Sequence, residues 1–450
     1  MTEGAVAEAA FHLAIYAVAS TLVLSDTLDL LVRLFFRRVH APASRGGERS
    51  VQTSVPLDVG HFTPYQMRLH LRPFAILASI HNLSDRAETF VSRLGTLREH
   101  LWIIDDASTD DTVPHLDRLG VRHVRGTPNR KKPGAIRELL ARLPPEIVTI
   151  VIVDPDVEID GDAGGAGVSN LERVLFEFQR SGMAAACPRI VVRPDGLWAD
   201  FQYLEYSMAL EIGRKGLGDH ALTSGASIYR RDALERALSL HSLSVYAEDL
   251  SNALILLSVN ERIYYDGRLV FATDGKRTLG ALFSQRVGWA FGLIQIYLRD
   301  FPRILQATAA RPFLIYHFVV YTGLLGLVLH PLRVAGLVIL GLSLANGIDN
   351  LAGLASIPDT RWTNPLYMTL AYFQYTLLTV AQMFLVLKKG ELRRVVRVIP
   401  LYFFYAVLQT VPTTLGYLNW FGLRFFGRRV YRDHYQADEV LMRRQMAASS

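Results

Sequence analysis

The chain has 450 residues, 50% of them hydrophobic and 20% charged, with a formal net charge of +6. Average soluble domains carry about 25% charged residues, so this composition excludes a disordered chain and argues against one that is soluble throughout. A single cysteine, Cys187, excludes an internal disulfide framework, and a charge of +6 over 450 residues gives no basic footprint for nucleic acid.

In chain order, Ala9–Ser25 carries no charge and the apolar pattern continues past Asp26 and Asp29 to Phe36. Glu3 and Glu8 precede the run, while Arg33, Arg37, Arg38, Arg45 and Arg49 follow it. That order is the reverse of a cleaved signal peptide. It predicts a membrane helix within 1–40 whose N-terminus is outside and whose following domain is cytoplasmic.

Residues 60–277 read as a soluble domain. Phe74–Ile80, Leu101–Ile104, Ile147–Val153 and Ala184–Val192 read as strands, with helical patterns at Arg86–Leu97 and Ala135–Leu143 between them. Strand–helix alternation predicts an α/β domain with a mainly parallel sheet, and such sheets bind ligands beyond the carboxyl ends of their strands. Two of those ends are acidic: Asp105-Asp106-Ala107-Ser108-Thr109-Asp110-Asp111 and Asp154-Pro155-Asp156. Clustered carboxylates are costly without a cation, and a divalent metal bridging an Asp-x-Asp pair to a diphosphate is the usual remedy. Each motif also has a plain reading. Asp105–Asp111 can cap a helix, Lys131-Lys132 can be a solvated turn, and Ser224-Gly225-Ala226 a strand-to-helix turn. Glu248-Asp249 can simply open the helix Leu250–Leu257.

Thr278–Arg311 carries Leu282, Phe283, Val287, Trp289, Ala290, Leu293 and Ile294 at helical spacing. Its flanking arginines suit an amphipathic helix at a membrane interface over 278–311. Four uncharged runs follow within 312–424: Phe313–Leu329, Val334–Ile348, Leu366–Leu387 and Val398–Leu423. The second is short for a span. If all four cross, the basic stretch Lys388, Lys389, Arg393, Arg394, Arg397 falls outside. If the short run does not cross, the basic tail over 425–450, with Arg428, Arg429 and Arg432 just after Arg424, falls outside instead. The expectation is four spans with the tail inside. A transporter would place ionisable groups within its spans, and the last two runs have none.

The motifs IIDDASTDDT (Ile103–Thr112), Asp154-Pro155-Asp156, Ser224-Gly225-Ala226, Ala247-Glu248-Asp249 and Gln285–Trp289 occur in this order. Together they resemble the membrane-embedded inverting glycosyltransferases of family 2, the group of cellulose, chitin, hyaluronan and poly-N-acetylglucosamine synthases, over roughly residues 70–310. The resemblance implies a Rossmann-like GT-A nucleotide-sugar domain flanked by transmembrane helices. It also implies a nucleotide-sugar donor of the UDP-linked kind, a carbohydrate or lipid-linked acceptor, membrane lipids as surroundings, and Mg²⁺ or Mn²⁺. Nucleotide-sugar binding would fall to Ser79, Asp105, Asp106, Lys132 and Asp154, and the metal to Asp154 and Asp156. Asp249 would be the general base beside Glu248, and Ser224, Gly225, Gln285, Arg286 and Trp289 would meet acceptor or product. Tyr229, Arg230 and Arg231 extend the acceptor-lining match, and Phe201–Tyr206 is a weaker one. Three departures stand out: Leu83 replaces an acidic residue, Ala247 a threonine, and Gly288 the arginine of Gln-x-x-Arg-Trp. The last weakens an inference of processive synthesis. A single transfer to a lipid or short glycan is the alternative, an accessory subunit stays open, and the composition suits a bacterial inner membrane.

Overall fold

The computed structural model describes residues 3–40, 53–55, 62–159, 169–242, 246–309, 311–354, 356–358 and 360–431. Arg45, Arg49, Arg432 and the rest of the tail lie outside the described residues, as does the side chain of Arg37.

Eight strands form one sheet: β1 (Phe74–Ile80), β2 (Leu101–Asp106), β3 (Arg122–Gly126), β4 (Thr149–Ile152), β5 (Glu158–Ile159), β6 (Ala185–Val192), β7 (Ser227–Arg230) and β8 (Ile263–Thr273). Their spatial order is β3-β2-β1-β4-β7-β6-β8-β5. The half from β3 to β4 is parallel, as expected. Beyond β4 the sheet is mixed: β7 runs antiparallel to both β4 and β6, and β5 to β8, while β6 and β8 are parallel. The strands read as near-continuous apolar runs because helices cover both faces. Leu139, Leu234 and Leu254 close one face, and Phe90, Leu171 and Leu175 the other.

The sequence reading missed β3, the two-residue β5, β7 and β8. In β8 the charged pair Asp266 and Arg268 masks the apolar pattern. Asp266 is buried and accepts from Arg268 at 2.7 Å, which also pairs with Glu177 at 2.5 Å. The ladder slips at this point, so that Pro188 faces Asp266 but Arg189 faces Val270. A neutralised charge cluster in a bulge is compatible with a buried strand.

Outside this domain, His330–Leu351, Pro365–Val386 and Gly390–Phe426 are long and apolar enough to cross a membrane. Of the four runs expected to cross, one departs. Val334–Ile348 lies inside the 22-residue helix His330–Leu351, whereas Phe313–Leu329 forms only the shorter apolar helix Pro312–Val328. The N-terminal segment is a broken pair, Ala5–Ala19 and Thr21–Phe36, meeting at 70°. At the break, Ser20 Oγ donates to the Tyr16 carbonyl at 2.7 Å and Thr21 Oγ1 to that of Val18 at 2.8 Å. Such back-bonding bends helices. The expected interfacial stretch is two helices, Leu279–Arg299, capped by Thr278, and Phe301–Thr308.

Candidate active site

The strand order reverses direction between β1 and β4, and the crevice at such a switch point is where an open α/β sheet binds its ligand. Asp154 follows β4 there. Lys132, in the first turn of helix Lys131–Leu140, donates to Asp154 Oδ1 at 2.6 Å and to the Gly225 carbonyl at 2.8 Å, and lies 3.3 Å from Glu248 Oε1. Lys132 is therefore not a solvated turn residue. Burial alone would lower its pKa, but Asp154, Glu248 and Asp249 hold the ammonium well above its usual range. Gly134 keeps this turn tight, since a Cβ would sit 2.8 Å from Arg130 Cβ. Gly225 is more restrictive: a Cβ would sit 2.6 Å from Asp154 Oδ2.

Asp156 accepts from the Thr273 hydroxyl at 3.0 Å, and its backbone carbonyl accepts from Arg193 at 3.1 Å. Burial and the neighbouring Asp154 push its carboxyl up, against the Thr273 hydrogen bond. Two carboxylates that repel each other, with Lys132 satisfying only one, are a donor set that fits a divalent cation. Among the described residues no three His, Cys, Asp or Glu converge on one point. An ion held by Asp154 and Asp156 would therefore have to complete its shell with phosphate and water.

Ser79 lies in β1, and the loops after β1 and β2 are bolted together. The Asn82 N–H donates to Ser108 Oγ at 2.8 Å, its Oδ1 accepts from the Thr109 N–H at 2.9 Å, and the Leu83 N–H donates to Thr112 Oγ1 at 2.7 Å. Leu83 packs into the core, so this departure from the family pattern is a packing residue. Asp105 is fully buried and accepts from the Ser108 N–H at 3.3 Å. Asp106, buried and pushed up by that burial, accepts from the Arg130 N–H at 2.7 Å. Asp106 therefore links the β2 end to the turn that presents Lys132, while Asp105 holds its own loop. Burial raises the Asp110 carboxyl, but hydrogen bonds from Thr112 and Ser84 outweigh it and hold the group at about 2; its Oδ1 accepts from the Thr112 N–H at the start of the helix at 3.1 Å.

Ala247 precedes helix Glu248–Ser258. Glu248 faces Lys132, and its carboxyl is pushed up by burial, by Asp249 and by Asp154, against Lys132. Thr223 Oγ1 donates to the Asp249 carbonyl at 2.8 Å, which ties this helix start to Ser224-Gly225. Ser224 Oγ donates to the Ala226 carbonyl at 2.7 Å. Tyr229, Arg230 and Arg231 depart from the acceptor-lining expectation. Tyr229 is buried in the core, Arg230 pairs with Glu261 at 2.9 Å, and Arg231 donates to the carbonyls of Leu140 and Pro144 at 3.2 and 2.6 Å. Those arginines hold a helix end.

Arg286 and Trp289 belong to a second cluster, and Gln285, whose Oε1 is buried, is not part of it. Arg286 pairs with Glu205 at 2.7 Å and stacks 4.0 Å from the centre of the Trp289 ring, which also lies over Tyr206. Tyr405 donates to Glu205 at 2.5 Å. Arg286, Trp289 and Glu205 line a cavity of about 300 Å³ together with Tyr321, Arg333 and Gln409. Lys132, Asp154, Gly225 and Glu248 thus meet directly, while Arg286 and Trp289 line a separate cavity. The sequence reading missed Thr273 because it missed β8. It missed Tyr405 because nothing local ties an apolar-helix tyrosine to Glu205.

A model of the glycosyl transferase family 2 domain matches residues 75–238. The chain is 24% identical over 238 residues to poly-beta-1,6-N-acetyl-D-glucosamine synthase of Staphylococcus epidermidis, a match covering 50% of this chain and 56% of that protein. The chain therefore spans about half the length of the curated relatives it matches. Among solved structures, a mannosyltransferase of Pyrobaculum calidifontis in complex with GDP-Man and Mn²⁺ is 16% identical with a TM-score of 0.49, covering 88% of this chain and 99% of its own. Glucosyl-3-phosphoglycerate synthase of Mycobacterium tuberculosis is 17% identical with a TM-score of 0.35, covering 52% of this chain and 86% of its own. The strand topology, the motif order and the family match agree: this chain carries a family 2 glycosyl transferase domain with a GT-A-type fold.

Proposed function

We propose that the chain is a membrane enzyme that transfers a sugar, with inversion, from a UDP-sugar to a growing polysaccharide and passes the product into the membrane block. The carrying observation is Lys132, wedged between Asp154, Glu248 and the Gly225 carbonyl at the switch point of the sheet. A donor diphosphate entering there would meet an ammonium kept charged by its neighbours, positioned for the charge that develops on the leaving group. Asp249, at the start of the helix that also presents Glu248, takes the proton of the acceptor hydroxyl. The new bond to the anomeric carbon forms as the bond to the diphosphate breaks on the opposite face. Asp154 and Asp156 would hold Mg²⁺ or Mn²⁺, which would supply further charge neutralisation at the diphosphate. The apolar helices and the resemblance to a synthase support placement in a bacterial plasma membrane with this domain in the cytoplasm.

A second reading, single transfer to a lipid or short glycan, is favoured by Gly288 and by Arg286 covering the Trp289 ring, a surface on which a sugar would otherwise stack. The test uses purified protein in detergent with UDP- and GDP-sugars and either metal. UDP release that is lost with Asp249→Asn and with EDTA supports transfer, and a long product supports the polymerising reading. Full turnover by Asp249→Asn sinks the assignment of the base.

A further inference from the structure

Helix Gly390–Phe426 passes every test of length and apolarity for a membrane span. At about 1.5 Å per residue it is about 55 Å long, against about 30 Å of hydrocarbon. A crossing helix has its ends on opposite sides of the bilayer. Here both ends are fastened to the catalytic domain. At the first, Arg394 and Arg397 pair with the buried Asp200 at 2.7 and 2.5 Å, and Glu391 pairs with Arg189 of β6 at 2.9 Å. At the second, the chain turns back over Asn419, whose Oδ1 accepts from the Val430 and Tyr431 N–H groups at 3.0 and 2.8 Å. That turn delivers Arg429 to the Tyr246 hydroxyl at 2.6 Å, two residues before Glu248. Contact persists between the ends, through Tyr405 on Glu205 and Gly416 against Ala290.

We propose that Gly390–Phe426 does not cross the membrane but lies in the leaflet facing the catalytic domain, leaving three crossings: the N-terminal helix up to Ala19, His330–Leu351 and Pro365–Val386. The inference rests on the membrane reading above. The N-terminal helix fits it. Glu8 and Phe11 reach Arg361 and Trp362 between the two long helices, at the end remote from the catalytic domain, while Val18 and Ala19 abut Gly336. After the 70° bend, Arg33 donates to the Gly213 carbonyl of the catalytic domain at 3.0 Å, so Thr21–Phe36 also lies along the interface. The occupant of the exposed apolar face is lipid. Leu401, Leu418, Phe421 and Phe425 are exposed on the helix, beside Arg424 and Arg428 that match anionic headgroups. Both basic stretches, which no count of spans could reconcile, then fall on the catalytic side together with Arg33.

The test is cysteine accessibility in sealed vesicles with a membrane-impermeant maleimide. The native Cys187 is buried and its thiol is pushed up by that burial, which lowers background. Gly390→Cys and Val430→Cys report the two ends, Leu354→Cys the connection between the long helices, and Asp85→Cys the catalytic domain; all four positions are exposed. Expected is labelling of Gly390→Cys, Val430→Cys and Asp85→Cys from one side and Leu354→Cys from the other. Labelling of Val430→Cys from the side of Leu354→Cys, or from neither side, overturns the proposal. If Leu354→Cys and Asp85→Cys label from one side, the membrane reading itself fails. UDP release by each variant checks that it is folded.

Discussion

Gly225→Ala is the sharpest probe of the donor site. An added Cβ would stand 2.6 Å from Asp154 Oδ2 and 3.6 Å from Lys132 Nζ. Ordinary contact begins near 3.4 Å, so Asp154 or the Ser224-Gly225 turn must move by about 0.8 Å. Neither is free to do so. Asp154 is anchored by Lys132 at 2.6 Å, and the turn is held by the Gly225 carbonyl on the same ammonium and by Thr223 on the Asp249 carbonyl. Displacements near 1 Å at reacting groups cost on the order of 10²-fold in rate, and overpacking costs about 1–3 kcal/mol of stability. The expected result is a fall in UDP release of on the order of 10²-fold, with a thermal midpoint lowered by only a few degrees. Steady-state UDP release and a melting curve measure the two separately. Wild-type kcat and KM in Gly225→Ala would refute the reasoning, because the contact at Asp154 Oδ2 would then not govern the site.

Lys132→Met keeps volume and removes the charge; UDP release should drop on the order of 10²–10³-fold, as for loss of a charge-stabilising donor, and near-normal turnover would contradict the role of Lys132. Glu205→Gln removes the carboxylate that pairs with the buried Arg286, which predicts a loss of about 3 kcal/mol. The double variant Glu205→Gln/Arg286→Met should recover part of it, and additive losses would count against pairing. His241 is buried, and desolvation holds it down at about 4. Its unfolded counterpart, near 6.5, binds more protons between those values, so stability is full above pH 6.5 and erodes by up to about 3 kcal/mol as pH falls to 4. Denaturant unfolding of His241→Gln should show a flatter pH dependence in that window, and an unchanged slope would exclude this origin. Gly292→Ala would place a Cβ 2.9 Å from the Ala247 nitrogen, a backbone atom that cannot yield locally. UDP release should fall at least about tenfold; an unaffected kcat would argue that helix Leu279–Arg299 does not position the acid pair.

Three strands of the parallel half were legible because β1, β2 and β4 are buried on both faces and so spell apolar runs, whereas the half-exposed β3, Arg122–Gly126, does not. The acidic carboxyl ends of β2 and β4 were legible for the same reason, since a charge at such an end stands out. β8 was not, because Asp266, Arg268 and Glu177 neutralise one another in space while their positions in sequence give no sign of it. The pairing of Lys132 with Asp154 and Glu248 joins segments 22 and 116 residues away from the lysine, a geometry that no spacing rule contains. The apolar runs are informative in a different way. Hydropathy measures what a helix can bury, not which direction it takes. Val398–Leu423 can bury itself in lipid lengthwise as well as across, and the choice is made by Asp200 and Tyr246 at its ends.

Those end contacts tie the chemistry to the membrane surface. Helix Leu279–Arg299 is packed between two close approaches: Ala247 presses on Gly292 at 2.9 Å, and Gly416 of the long helix meets Ala290 at 2.9 Å, each distance measured to the Cβ a glycine lacks. The start of helix Glu248–Ser258, which presents Asp249, therefore rests on one interfacial helix that rests on another. Small residues at both contacts leave no compressible side chain between them, so a shift of the outer helix passes to the acid pair. Arg429 reinforces this from the far end by holding Tyr246, just ahead of Glu248, while Lys131 stacks 4.7 Å from the centre of the same ring. If lipid covers the exposed apolar face of the outer helix as proposed, UDP release should change with the amphiphile around the protein. The acid pair and the membrane face are in this sense one mechanical unit, with glycines at its joints.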